Sequence, residues 1–277
     1  GPERPALHDG GGAITGGAAF SASGEGHSAA AGDHAINLGT LNGGQTVRVD
    51  GDLFNIAAAK DTITFSFWQK NLNTGTNTSS FMLYSPSVNR AMHGHVPWSN
   101  GHIYFDGPGC CAGDTRISGP AGIVSGEWSH FVFQKNGPDK QVWKDGALLL
   151  EGSGQLPLPT NIGQMWIGSD KGVNSVHGYI DEFAIFDRAL TEEQIAALAS
   201  GTPAIDLVVP PVDLKILEIA GQGAADQLTS LAITFASNEG VAYAIDFKAS
   251  LDQPFWEELD DNVIGTSGTT IWEDTDA

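Results

Sequence analysis

The chain is poor in cysteine and in positive charge. Cys110 and Cys111 are the only cysteines in 277 residues, so no disulfide framework staples this fold. Thirteen Lys and Arg stand against thirty-three Asp and Glu, a net charge of -20. Such a surface repels phosphate backbones and anionic bilayers, so neither nucleic acid nor acidic lipid is expected as a partner. No apolar run approaches the ~20 residues that a membrane helix needs, so membrane insertion is not expected. The start lacks a basic segment followed by an apolar one. Gly1-Pro2 reads as a cleavage scar, with flanking sequence cut away, and the low cysteine usage permits either side of a membrane.

Thirty-six glycines with 17% charged residues suit an all-β chain rich in turns. The length exceeds that of most single domains and predicts two. Excess carboxylates favour solubility in a saline medium or attraction of calcium, and say nothing of the fold.

The cysteine pair is the most informative feature. Adjacent Cα atoms lie about 3.8 Å apart across a trans peptide, below the roughly 4.4 Å lower end of ordinary disulfide geometry. A bond between them closes a small ring that removes almost no loop entropy from the unfolded chain. What it supplies is shape: a rigid, apolar, sulfur-faced knob. The alternative is a reduced pair on a strand, one side chain in and one out. Gly107-Pro108-Gly109 and Gly113 mark a loop instead, and an exposed thiol pair is open to oxidation outside the cell, so the expectation is a disulfide at a loop tip.

Ile63-Thr-Phe65-Ser-Phe67-Trp68 alternates as a half-buried strand does, and Trp128-Ser-His-Phe131-Val-Phe133 repeats the style. Val142 to Leu148 carries Asp145-Gly146, a tight-hairpin dipeptide. Met165 to Gly168 and Gly178 to Phe186 read as further strands, the second apolar enough on both faces to be central. Thr191-Glu-Glu-Gln194 is a capping box, with Ile195 and Leu198 as a stripe and Gly201 as a stop, which predicts one short helix. Proline-punctuated sequence from Pro203 to Pro211 separates domains 1–203 and 204–277. Beyond it, strands are expected at Leu214–Ile219, Leu231–Phe235, Ala242–Phe247, Phe255–Leu259 and Thr269–Trp272, the pattern of a small antiparallel sandwich.

Ile63 to Lys70, Glu127-Trp128-Ser-His130, Lys144-Asp145-Gly146, Ile167-Gly168-Ser-Asp170 and Gly178-Tyr-Ile-Asp181-Glu182-Phe through Thr191-Glu-Glu-Gln-Ile resemble bacterial laminin G-like domains. The resemblance covers roughly residues 10 to 200 and implies a concanavalin A-like jelly-roll β-sandwich. The segment from His95 to Cys111 is similar to a subgroup found in large exported proteins of aquatic bacteria. The C-terminal segment resembles a fibronectin type III-like module, through Ala242-Tyr243-Ala-Ile-Asp-Phe and Trp256-Glu-Glu-Leu259. Together these imply a secreted or cell-surface protein, part of a larger exported one.

Domains of this type hold sugars on a concave sheet face and rim loops. A sugar needs a flat apolar platform and polar groups for its hydroxyls. Trp98, Tyr104 and the Cys110-Cys111 ring are the candidate platform. His93, His95, Asn100, Asp106, Asp114 and Arg116 are the candidate donors and acceptors. The competing role for Trp98 and Tyr104 is packing beneath the loop. His93-x-His95 places both imidazoles on one side of an extended segment, but with Cys110, Cys111 and Asp106 it matches no common zinc signature. The resemblance implies a structural calcium held by Asp33 and Asp181, hard oxygen ligands.

Endo-glycanases share the jelly roll and work with paired carboxylates. Their Glu-x-Asp-x-x-Glu strand signature is missing, and in a regular strand Asp181 and Glu182 point to opposite faces. Glu257-Glu258 and Asp260-Asp261 fall in the accessory domain, and no nucleophile elbow, phosphate loop or metalloprotease helix is present. The expectation is a non-catalytic polysaccharide-binding domain. A structural adhesion or spacer module is the alternative, ahead of a glycan-degrading enzyme.

Overall fold

The computed structural model describes residues 12–39, 44–50, 54–111, 115–207, 215–224, 227–238, 240–248, 250, 257–266 and 268–274. The chain divides into two units, Gly1–Leu207 and Val208–Ala277. In the first, the strands are β1 (Ala13–Thr15), β2 (Ala19–Phe20), β3 (Ile36–Asn37), β4 (Thr46–Asp50), β5 (Thr62–Asn71), β6 (Phe81–Tyr84), β7 (Met92–His95), β8 (His102–Asp106), β9 (Arg116–Pro120), β10 (Trp128–Asn136), β11 (Asp139–Lys144), β12 (Ala147–Ser153), β13 (Gln164–Ile167) and β14 (Gly178–Phe186). They form two antiparallel sheets, β1-β4-β13-β6-β7-β8-β9 and β12-β11-β10-β5-β14-β3-β2, the jelly-roll sandwich that the resemblance implies.

Alternation along β5 builds the core. Ile63, Phe65 and Phe67 turn inward and are fully buried, and they meet Phe81, Phe105, Phe131 and Phe133 from neighbouring strands of both sheets. Phe65 stacks on Phe81 with ring centroids 4.2 Å apart. Each such ring contributes roughly 2–3 kcal/mol on burial, and truncation to alanine costs about 3–5 kcal/mol.

Ser66, Trp68 and Lys70 of β5 alternate with these inward-facing residues and occupy the outer face of the second sheet. Part of that face is covered. α1 (Asn55–Lys60) leads into β5, and α2 (Glu192–Ala199) opens on the expected capping box, with Thr191 Oγ1 accepting from Gln194 N. Ile195, Leu198 and Leu190 pack against Val132 and Trp143 of the outer face. Asp145 and Gly146, with φ of 50° and 82°, make the β11–β12 hairpin turn, as a primed turn requires.

The second unit has β15 (Ile216–Ala224), β16 (Gln227–Ser237), β17 (Ala242–Phe247), β18 (Glu257–Ile264) and β19 (Gly268–Asp274). These form a three-stranded sheet, β15-β16-β19, and a two-stranded one, β17-β18. Phe235 meets Tyr243 edge-on at 5.1 Å. Of the expected strand segments, Leu214, Phe255 and Trp256 lie outside the described residues.

Candidate functional site

Strand register places most of the candidate residues together on the outer face of the first sheet. His93 pairs with Asp106 and His95 with Tyr104, and Asp106 pairs with Arg116. A turn from Trp98 to Gly101, closed by Gly101 N on Trp98 O at 2.8 Å, sets Trp98 edge-on to His95 at 4.5 Å and to Tyr104 at 6.4 Å. Asn100 Oδ1 accepts from His102 N at 3.2 Å and its amide donates to the Tyr104 hydroxyl at 2.7 Å. The Arg116 guanidinium lies 4.5 Å over the Tyr104 ring.

Beneath this row lies a buried polar layer. Asp106 is 0% exposed. Arg116 Nε donates to Oδ1 and Arg116 Nη2 to Oδ2 at 2.8 Å, and His95 Nε2 stands 3.7 Å away. Burial alone pushes this carboxyl upward, but the Arg116 pair and His95 outweigh it and hold it below the ordinary carboxylate range. His95 Nδ1 lies 2.9 Å from Thr78 O, to which it donates. His93 Nε2 lies 3.0 Å from Ser79 Oγ, and burial drives its pKa well below 6.5.

The sequence reading is corrected at these three residues. His93 and Asp106 are fully enclosed and His95 is 3% exposed, because the surrounding loops roof them over; Ser79 N, for example, bonds Asn174 O at 2.8 Å. They cannot meet a solute as direct donors or acceptors, and instead fix Arg116 and the aromatic row from below. Trp98, Tyr104 and Arg116 are half-buried, Asn100 is exposed, and Asp114 lies outside the described residues.

Cys110 and Cys111 are joined in a disulfide on the β8–β9 loop. Gly109, Cys110 and Cys111 have φ of 83°, 47° and 72°, a left-handed run that no strand interior contains. Cys110 is half-buried and Cys111 exposed, so the sulfur pair faces solvent. Its neighbours are polar. Arg90 Nη1 lies 3.3 Å from Cys110 Sγ while Arg90 Nη2 donates to Asp170 Oδ2 at 2.7 Å, and Asp106 Oδ2 is 3.6 Å from Cys110 Sγ. The path of contacts from the disulfide to Trp98 therefore runs through Asp106, Arg116 and Tyr104.

Sequence reasoning missed Arg90 and Asp170, which no spacing ties to the cysteines, and Lys140. Lys140 is buried between the sheets and donates to Phe105 O and, at 2.9 Å, to Thr115 O. It thereby clamps the two stems of the cysteine loop, and burial lowers its pKa to about 7.

A separate acidic cluster joins Asp33 and Asp181 with His27 and Glu182, their ligand atoms all within 4.8 Å of one another. Here the sequence reading is corrected again. β14 bulges between Asp181 and Ala184, and Glu182 sits at φ 48°, so the two adjacent carboxylates gather in one cluster rather than on opposite faces. Asp181 Oδ2 accepts from His27 N at 2.8 Å, and Asp33 Oδ2 from Ser28 Oγ at 2.6 Å. That serine lowers the Asp33 pKa, while desolvation and the Asp181 charge raise that of Glu182. A Cβ on Gly26 would fall 2.2 Å from Asp33 Cγ, so only glycine lets this loop approach. Three carboxylates suit a hard divalent cation.

The first unit is a laminin G-like jelly roll that carries a vicinal disulfide on a rim loop. The chain belongs to the concanavalin A-like lectin/glucanases superfamily, whose family model matches residues 41–196. Among solved structures, the binding domain of botulinum neurotoxin DC in complex with SialylT aligns with a TM-score of 0.54 at 12% identity, covering 72% of this chain and 48% of that one. The chain thus spans about half the length of that neurotoxin domain. Domain 4 of AbnA, a GH43 extracellular arabinanase from Geobacillus stearothermophilus, in complex with arabinotriose, aligns with a TM-score of 0.48 at 21% identity, covering 68% of this chain and 87% of that one. At 12% identity the likeness to the neurotoxin domain is one of fold. No curated protein sequence matches the chain. Among the described residues, no helix is long and apolar enough to cross a membrane.

Proposed function

We propose that the first unit binds polysaccharide without turning it over, through the outer face of its first sheet around Cys110 and Cys111. The observation that carries this reading is the solvent-facing disulfide flanked by Arg90, with Arg116, Tyr104 and Trp98 continuing the surface. Apolar faces alternate there with charged donors, as a sugar's C–H face and hydroxyls require. The neurotoxin domain of like fold was solved in complex with SialylT, which supports a sugar as the ligand class. The setting is extracellular or cell-surface, within a larger exported protein, where a disulfide persists.

A calcium ion held by Asp33, Asp181 and Glu182 belongs to the same proposal, as a structural ion. His27, bonded to Asp181, orients that carboxylate. Bound calcium would neutralise three crowded negative charges and tie residues 26–33 to β14.

The second reading is an adhesion or spacer module, favoured by the exposed apolar side chains of Ile216, Ile219 and Ile271 in the second unit. A polysaccharide panel separates the readings. Saturable binding with no product release supports the proposal. No saturable signal supports the spacer, and released oligosaccharides would mean an enzyme.

A further inference from the structure

A second cavity lies on the outer face of the other sheet. Antiparallel register sets Trp128, Lys70 and Tyr179 side by side across β10, β5 and β14, Trp128 opposite Lys70 and Lys70 opposite Tyr179. All three side chains face away from the core by strand alternation. α2 and the residues after it cover this face around Val132, Trp143, Ser66 and His130, and the Lys70 row is only half-buried. The 24–29 loop lies beside it, and together they border an open cavity of about 300 Å³ that Glu25 and His27 also line. That volume is at the small end of ligand pockets, ~300–1,000 Å³.

The chemistry of the lining is specific. The rings of Trp128 and Tyr179 lie 6.3 Å apart, and the Lys70 ammonium is 5.7 Å from each centroid. Among the described residues no carboxylate or hydrogen-bond acceptor engages that ammonium, on a chain where acids outnumber bases more than two to one. It therefore presents up to three donors. Glu25, also in the lining, accepts from Ala22 N through Oε2 at 2.9 Å, leaving Oε1 as an acceptor. Two aromatic rings inclined at 51°, with a cationic donor and an anionic acceptor in the same lining, match a sugar, whose C–H faces pack on rings and whose hydroxyls accept and donate. Glu25, in the lining and outside the proposed calcium cluster, opposes an anionic ligand.

We propose that the Lys70–Trp128–Tyr179 cavity binds an uncharged sugar unit, independently of the cysteine loop. With sites on opposite faces of one sandwich, the unit can engage two chains of a polysaccharide and gain avidity from their linkage.

The test uses the whole chain and follows the indole N–H signal of Trp128 by NMR during titration with arabinotriose, xylotriose, cellotriose and trigalacturonate. At least one neutral trisaccharide should move it saturably. Lys70→Met should raise that Kd roughly tenfold, the loss expected for a hydrogen bond to a charged donor, without lowering the melting temperature. Trp98→Ala should leave the Trp128 shift intact, so failure of the loop site and failure of this one are separable. The proposal is overturned if no neutral trisaccharide moves Trp128, if only trigalacturonate does, if Lys70→Met binds as well as the parent, or if Trp98→Ala abolishes the shift.

Discussion

Arg90 holds its guanidinium 3.3 Å from Cys110 Sγ while pairing with Asp170 at 2.7 Å. A fixed cation beside a disulfide stabilises the thiolate that forms when the bond is cleaved, and a better leaving thiolate leaves faster. Arg90→Met should slow reduction of the pair by dithiothreitol at neutral pH several-fold, read by intact mass after alkylation. Faster reduction in the variant would mean that Arg90 shields the sulfurs instead.

Acid should weaken the fold through His130. Burial lowers its pKa to about 4 from 6.5, and its Nε2 lies 2.9 Å from Ser66 Oγ. The unfolded chain takes up this proton first as pH falls. Stability is therefore fully present above pH 6.5 and declines between 6.5 and 4, by up to about 3 kcal/mol from this group. Urea unfolding of the parent and of His130→Gln at both ends of that window checks this. The variant should show a shallower decline, with His93, lowered in the same direction, supplying part of what remains.

How much of this was legible in the sequence differs by feature. Phe65, Phe67 and the Thr191 capping box disclose their elements because alternation and capping are local signals. The roof over His93 and Asp106 is not local, since it depends on contacts such as Ser79 with Asn174. The gathering of Asp181 and Glu182 was hidden because a left-handed glutamate bulge breaks the two-residue period on which strand reasoning relies. Trp128 and Tyr179 read as ordinary strand residues until register placed Lys70 between them.

Lys140→Met should loosen the cysteine loop. It removes the donor shared by the Phe105 and Thr115 carbonyls, at a cost of about 1–3 kcal/mol. The linkage has a definite sign. The folded pKa of about 7 lies below the 10.5 of the free group, so the folded chain releases this proton first and the parent gains stability as pH rises from 7 towards 10.5. Denaturation at pH 7 and pH 9.5 should show that gain in the parent and not in the variant.

Calcium should raise the melting temperature of the first unit, and a chelator should reverse the rise, since an ion that binds only the folded chain stabilises it by mass action. Asp181→Asn should abolish the response. An unchanged melting temperature in millimolar calcium would remove the ion from the account.

Affinity for polysaccharide before and after reduction and alkylation of Cys110 and Cys111 tests the central claim most directly. The account predicts saturable binding by the oxidised protein, lost on alkylation and in Trp98→Ala, with the melting temperature nearly unchanged in both. Equal affinity in the oxidised, alkylated and Trp98→Ala proteins would contradict it.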